Sequence, residues 1–275
     1  MLIEKYSINL ENYENSDDAS VTLICHEKSP EMCQKAWPLV FVIPGGGYGF
    51  VSDREADPIA SSFYAAGFNV SILKYSVAPF SYPVPYLEAF TALKLIKANA
   101  ERFNIDADKI SVCGFSAGGH LAGMMGTGFN DPLILNELKV KKDELKIQGM
   151  ILSYPVITGG EFAHRGSFDN LLAENKNDKE WLDKVSIDKR VREDTPKTFL
   201  WSTFTDNLVP VENTLMMADA LKKKNVQFEM HIFPIGCHGL SLANDLTKDA
   251  SGNCFEPYVE KWMPMCVEWL RLLFK

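Results

Sequence analysis

A serine between glycines, placed where an apolar run turns into a helical one, constrains this chain more than any other feature. Ile110-Ser111-Val112-Cys113 is short and β-branched, Gly114-Phe115-Ser116-Ala117-Gly118-Gly119-His120 follows, and Leu121-Ala122-Gly123-Met124-Met125 continues with helical character. G-x-S-x-G at a strand-to-helix corner is the layout of a nucleophile elbow. The turn is so sharp that side chains at the flanking positions would collide with the adjoining strand and helix, so glycine is required there. Such a corner lifts Ser116 Oγ clear of the sheet and aims the first amides of the next helix at whatever the serine attacks. A glycine-rich turn without chemistry has the same five-residue spelling. The strand before and the helix after favour the elbow.

The corner implies a parallel sheet, and the remaining pattern agrees. Apolar, β-rich runs at residues 5–10, 21–25, 39–43, 69–75, 110–113, 149–153, 198–203 and 228–233 alternate with helical patterns at 56–66, 86–103, 118–126, 211–224 and 255–274. That alternation predicts βαβ units: an α/β fold with a mainly parallel sheet of about eight strands and helices on both faces. Leu39-Val40-Phe41-Val42-Ile43 is unbroken apolar sequence, as expected of a strand covered on both sides. The first two runs are more polar and suit an antiparallel edge. With 275 residues the chain is read as one domain, 1–275. Residues 156–196 break the alternation with a long polar stretch carrying Phe162, His164, Phe168 and Trp181. A segment of that length is expected to fold over something as a cap-like insert.

Charge narrows the partners. A formal net charge of −8, with no basic patch to offset it, disfavours nucleic acid and anionic membranes. The lysine runs at 139–142 and 222–224 sit near acids and read as solvated faces. Met1-Leu2-Ile3-Glu4-Lys5-Tyr6-Ser7-Ile8 has neither a basic start nor a long apolar region, so it reads as a strand rather than a signal peptide. The six cysteines show no C-x-x-C spacing and are read as reduced thiols of a cytoplasmic protein. No metal-ligand cluster is visible in the spacing, and no cofactor is expected.

A serine nucleophile needs a base, and the base an orienting acid. Of the five histidines, His26 precedes the core strands, His120 sits too near Ser116 on the same helix, His231 is inside a strand and His164 lies in the irregular insert. His238, in Pro234-Ile235-Gly236-Cys237-His238-Gly239-Leu240, follows the last predicted strand, on the edge where open α/β sheets bind ligands. A loop histidine without a task is the alternative. Asp206, in Thr203-Phe204-Thr205-Asp206-Asn207-Leu208-Val209-Pro210, follows the strand before it, leaving room for one helix and one strand ahead of His238. Its other reading is an N-cap for the next helix, and both roles are compatible. Finally, Ile43-Pro44-Gly45-Gly46-Gly47-Tyr48-Gly49 matches neither a phosphate loop nor a dinucleotide fingerprint. It suits an oxyanion hole, with the amides of Gly46 and Gly47 joining that of Ala117; losing one such donor costs about 3 kcal/mol of transition-state stabilisation.

With these pieces the chain resembles the α/β-hydrolase-fold esterases. More narrowly it is similar to the small carbohydrate acetyl esterases, the acetyl-xylan and feruloyl esterase-like group, from Pro44-Gly45-Gly46-Gly47-Tyr48 through to His238-Gly239-Leu240. The resemblance implies Ser116 as nucleophile, Asp206 as acid, His238 as base, and Gly46, Gly47 and Ala117 around the oxyanion. Lipase-like relatives carry His before the three glycines, where this chain has Ile43-Pro44. The implied substrate is a small-molecule ester, a short acyl group on a sugar. Tyr48, Phe50, Phe80, Tyr82 and Tyr86 could stack on sugar rings, Tyr48 foremost, or could be core. The competing readings are a prolyl-oligopeptidase-like peptidase and a non-catalytic hydrolase-fold binder. Trp262, Trp269, Leu270, Leu273 and Phe274 near the carboxyl end could support a homodimer, and core packing explains them equally.

Overall fold

In the computed structural model, which describes all 275 residues, β-branched and aromatic runs become strands wherever both faces can be covered. Eight of them form one sheet: β1 (Leu2–Ser7), β2 (Ser20–Cys25), β3 (Trp37–Ile43), β4 (Asn69–Lys74), β5 (Ile105–Phe115), β6 (Gly149–Ser153), β7 (Lys197–Thr203) and β8 (Phe228–Phe233). Their order is β1-β2-β4-β3-β5-β6-β7-β8. The β1–β2 and β2–β4 pairs are antiparallel and every other pair is parallel, as the two polar leading runs suggested. Among the strands, β1 and β5 depart most from the sequence reading. β1 starts three residues earlier, at Leu2, because pairing Leu2 with Cys25 and Ser7 with Ser20 sets its register. β5 reaches back to Ile105, which pairs with Trp37 across a register shift.

Helices cover both faces. On one side lie α1 (Asp57–Ala65) and the carboxyl-terminal α8 (Trp262–Leu273); on the other lie α2 (Val84–Ala98), α3 (Ala117–Gly128) and α7 (Glu212–Lys223). Trp262 and Leu270 are fully buried against the sheet and Trp269 nearly so. The core therefore takes up Trp262, Trp269 and Leu270, while Leu273 and Phe274 stay half-buried against it. The long polar segment holds α5 (Arg165–Leu172) and α6 (Lys179–Val185), with a short α4 (Pro132–Glu137) earlier in the chain. Phe168, Leu171 and Val185 pin α5 and α6 to the body of the fold. No helix is long and apolar enough to cross a membrane.

Candidate active site

The chain enters the corner after β5 with Ser116 at φ 53 and ψ −119, a conformation that costs a non-glycine residue energy. The surroundings impose it. Ser116 N donates to Ser153 O at 3.0 Å, while Ser116 O accepts from the amides of His120 and Val156. A Cβ on Gly118 would lie 2.2 Å from Ile43 O, so only glycine lets α3 start this close to β3. Ala117 opens that helix, and its N–H is one of the amides a helix start leaves without a backbone partner.

Two loops bring the other side chains to this corner. After β7, Asp206 Oδ1 accepts from the amides of Leu208 and Val209, at 3.0 and 2.9 Å, closing a turn in the loop; the next helix starts at Glu212 with Val211 as its N-cap, so Asp206 does not cap it. Its second oxygen, Oδ2, is 2.7 Å from His238 Nδ1. After β8, His238 places Nε2 2.7 Å from Ser116 Oγ. A carboxylate only accepts, so Nδ1 carries the imidazole proton and Nε2 is left to accept from the serine hydroxyl. The Asp206 side chain is 1% exposed and that of His238 13%, so the pair is shielded from water except where the imidazole meets the cleft. The sequence reading named these three residues, and the structure places them in one hydrogen-bonded row.

The glycine loop after β3 is nearly exhausted of hydrogen-bonding groups. Pro44 O accepts from Tyr75 Oη, Gly45 O from Ser52 N, Gly46 O from Gly49 N and Phe50 N, and Gly47 O from Asn170 Nδ2. Gly45 N donates to Glu55 Oε2 at 2.8 Å. The amides of Gly46, Gly47 and Tyr48 remain without a protein partner, and Gly46 and Gly47, at φ +125 and +62, line the cleft. A Cβ at Gly46 would sit 2.0 Å from Phe50 O.

Tyr48 requires a correction. Expected to meet substrate, its side chain is 1% exposed and points into the core, where Oη lies 2.7 Å from His120 Nδ1. The other imidazole nitrogen, Nε2, lies 2.8 Å from Val185 O and must donate to it. Burial holds His120 down to about 4, so it stays neutral and ties the glycine loop, α3 and the end of α6 together. Tyr82 and Tyr86 stack on each other away from the cleft, and of the aromatics considered only Phe50 lines it.

The cleft over Ser116 has a volume of about 490 Å³ and is lined by fourteen residues, two of them hydrophobic. Sequence reasoning missed several of its walls, among them Arg54, Glu55, His164 and Asn170. Asp53-Arg54-Glu55 follows Gly49 after three intervening residues, and a cluster of charges between the glycine loop and an apolar helix was the available signal. Arg54 donates to Gly239 O and Thr247 O, both at 2.8 Å. His164, from the insert, bonds Ser167 Oγ through Nδ1; burial and then the neighbouring His238 keep it below the usual histidine range. No three His, Cys, Asp or Glu side chains converge to hold a metal ion.

Serine, aspartate and histidine in that chain order, each beyond the carboxyl end of a strand in one parallel sheet, is how α/β-hydrolases are built. This chain has that fold, and solved structures of similar architecture share it. It belongs to the BD-FAE family, whose model matches residues 28–221. Over 210 residues it is 39% identical to an endo-1,4-beta-xylanase B of Butyrivibrio fibrisolvens, covering 75% of this chain and 33% of that protein. It is 27% identical over 241 residues to an acetylxylan esterase of Xylanibacter ruminicola, covering 86% of this chain and 46% of the other. The chain thus spans a third to about half the length of these curated relatives. An acetyl ester-xyloside bifunctional hydrolase from Caldicellulosiruptor lactoaceticus superposes with a TM-score of 0.83 at 36% identity, covering 96% of this chain and 92% of that one.

Proposed function

We propose that the protein is a serine carboxylic-ester hydrolase that removes short acyl groups, acetyl above all, from small sugars or oligosaccharides. One observation carries the reading: the row Asp206–His238–Ser116 opens into a cleft beside the amides of Gly46, Gly47 and Ala117. Ser116 Oγ attacks the ester carbonyl while His238 Nε2 takes its proton, and Asp206 stabilises the imidazolium so formed. The amides of Gly46, Gly47 and Ala117 receive the developing negative oxygen. The tetrahedral species collapses to an acyl-serine, and His238 returns the proton to the departing alcohol. Water, deprotonated by the same nitrogen, then releases the acid.

The cleft's lining supports the substrate class. Only Phe50 and Leu208 among its fourteen lining residues are hydrophobic. The polar side chains of those walls, Ser52, Arg54, Glu55, His164 and Asn170, give a polyhydroxylated alcohol groups to bond to. The insert would act as a partial cap, since His164, Gly166 and Asn170 come from it. A cytoplasmic address belongs to the same proposal, because core thiols such as Cys25, Cys113 and Cys266 are at home in a reducing compartment. The test is hydrolysis of p-nitrophenyl acetate, butyrate and octanoate, with an acetylated xylo-oligosaccharide alongside, by wild type and Ser116→Ala. Turnover falling from acetate to octanoate, acetate release from the sugar, and loss of both in the variant are the expected results. A well-folded wild type inert to every ester would overturn the reading.

A further inference from the structure

Glu55 is a carboxylate with no place in the chemistry above, yet it is 3% exposed and lies directly beneath the glycine loop. Both of its donors are neutral. Gly45 N–H reaches Oε2 at 2.8 Å, and the Tyr154 hydroxyl reaches Oε1 at 2.6 Å. Tyr154 in turn accepts the amide of Ser241 at 2.9 Å, three residues beyond His238, and its ring meets the His238 ring edge-on at 5.0 Å between centroids. Its phenol stays protonated, because burial and then the adjacent carboxylate push its pKa well up. Through one carboxylate and one phenol the glycine loop, the end of β6 and the histidine loop are therefore joined. The preceding residue works on the same parts, Arg54 clasping Gly239 O and Thr247 O.

We propose that Glu55 is a positioning residue for the oxyanion hole, holding the Gly46 and Gly47 amides in register with Ser116 and His238; the role rests on the ester-hydrolase reading above. Two physical arguments carry it. A buried charge is costly to desolvate, and a neutral acceptor would be cheaper if one bond were enough. The site presents two donors facing one side chain, and an amide has only one acceptor oxygen, whereas a carboxylate has two. Moreover the loop runs through three consecutive left-handed residues, Gly46, Gly47 and Tyr48. Backbone held in that region relaxes when its anchors go. The Gly45 amide is the anchor immediately before the two amides that must stay aimed at the cleft.

The experiment compares wild type, Glu55→Gln and Tyr154→Phe in hydrolysis of p-nitrophenyl acetate and in affinity for a methyl trifluoromethyl ketone. Addition of Ser116 Oγ to that ketone forms a C–O bond, passes the serine proton to His238 and leaves an oxyanion in the hole, so its affinity reads the hole directly. Glu55→Gln is expected to lower kcat by roughly 10- to 100-fold with KM nearly unchanged, and to weaken the ketone by the same factor. Tyr154→Phe keeps the Gly45 contact but frees Ser241, and should lose about tenfold in kcat. A merely structural carboxylate would lower the melting temperature without that matched loss. A fall in kcat of less than about fivefold, or one that the ketone does not share, overturns the proposal. If Glu55→Gln does not fold, Tyr154→Phe is judged by the same two criteria. Wild-type turnover that survives Ser116→Ala would instead sink the hydrolase reading, and this role with it.

Discussion

Two histidines flank the serine corner and are built to opposite ends. His120 sits four residues along α3, with both ring nitrogens committed to fixed partners, Tyr48 Oη and Val185 O, in the dry interior. His238 arrives from the far end of the chain with one nitrogen on a carboxylate and the other on a hydroxyl at the mouth of a cleft. An imidazole with both nitrogens spent on neutral groups, and no anion beside it, has no reason to take a proton. One backed by a carboxylate is placed to hold the serine proton during attack. Proximity to the serine is shared; the neighbours and the water separate a tie from a base.

The largest effect should come from breaking the carboxylate side of that contrast. In Asp206→Asn the oxygen would keep the amides of Leu208 and Val209, leaving the NH₂ group to face His238 Nδ1. That forces the proton onto Nε2, where it can no longer accept from Ser116. Turnover of p-nitrophenyl acetate should drop about 10⁴-fold with little change in melting temperature. A loss under about tenfold would mean that His238 does not depend on Asp206.

His120 should show itself in stability. Its folded pKa is about 4 against 6.5 when free, so between those values the unfolded chain binds a proton that the fold refuses. Stability from this residue is complete above pH 6.5 and falls as pH drops towards 4, by about 3 kcal/mol in total. Denaturant unfolding of wild type and His120→Gln at pH 7 and pH 4 isolates the term. The gap between the two proteins should shrink by that amount at the lower pH; a constant gap would contradict the burial argument. Smallest of all, Tyr48→Phe should cost about 1–2 kcal/mol by leaving His120 Nδ1 without a donor. KM for acetylated sugars should not move, because the Tyr48 ring lies outside the cleft. A several-fold rise in KM would restore Tyr48 to substrate binding.

Local pattern made much of this molecule legible before any coordinates. Runs such as 149–153 and 228–233 coincide with strands because their periodicity and flanking turns are contained within each segment. The helix read at 255–274 begins only at Trp262, since Pro257 and a short turn at Val259–Lys261 intervene. The short helix Pro132–Glu137 had too few residues to show a period. Ser116, Asp206 and His238 were readable because each follows a strand in a fixed chain order, so one-dimensional position already stated their shared edge.

Sequence by itself thus determined the alternation, the parallel sheet with its antiparallel edge, and the three residues in a row at its carboxyl end. Tertiary structure alone decided which glycine-loop amides are left free, why Tyr48 turns inward, and that Glu55 reaches Tyr154 across 99 positions of chain. The division has a physical cause. Strand, helix and turn preferences are paid within a few residues, whereas a buried polar group takes its partners from whatever the packed fold sets beside it, and those partners are strangers in sequence.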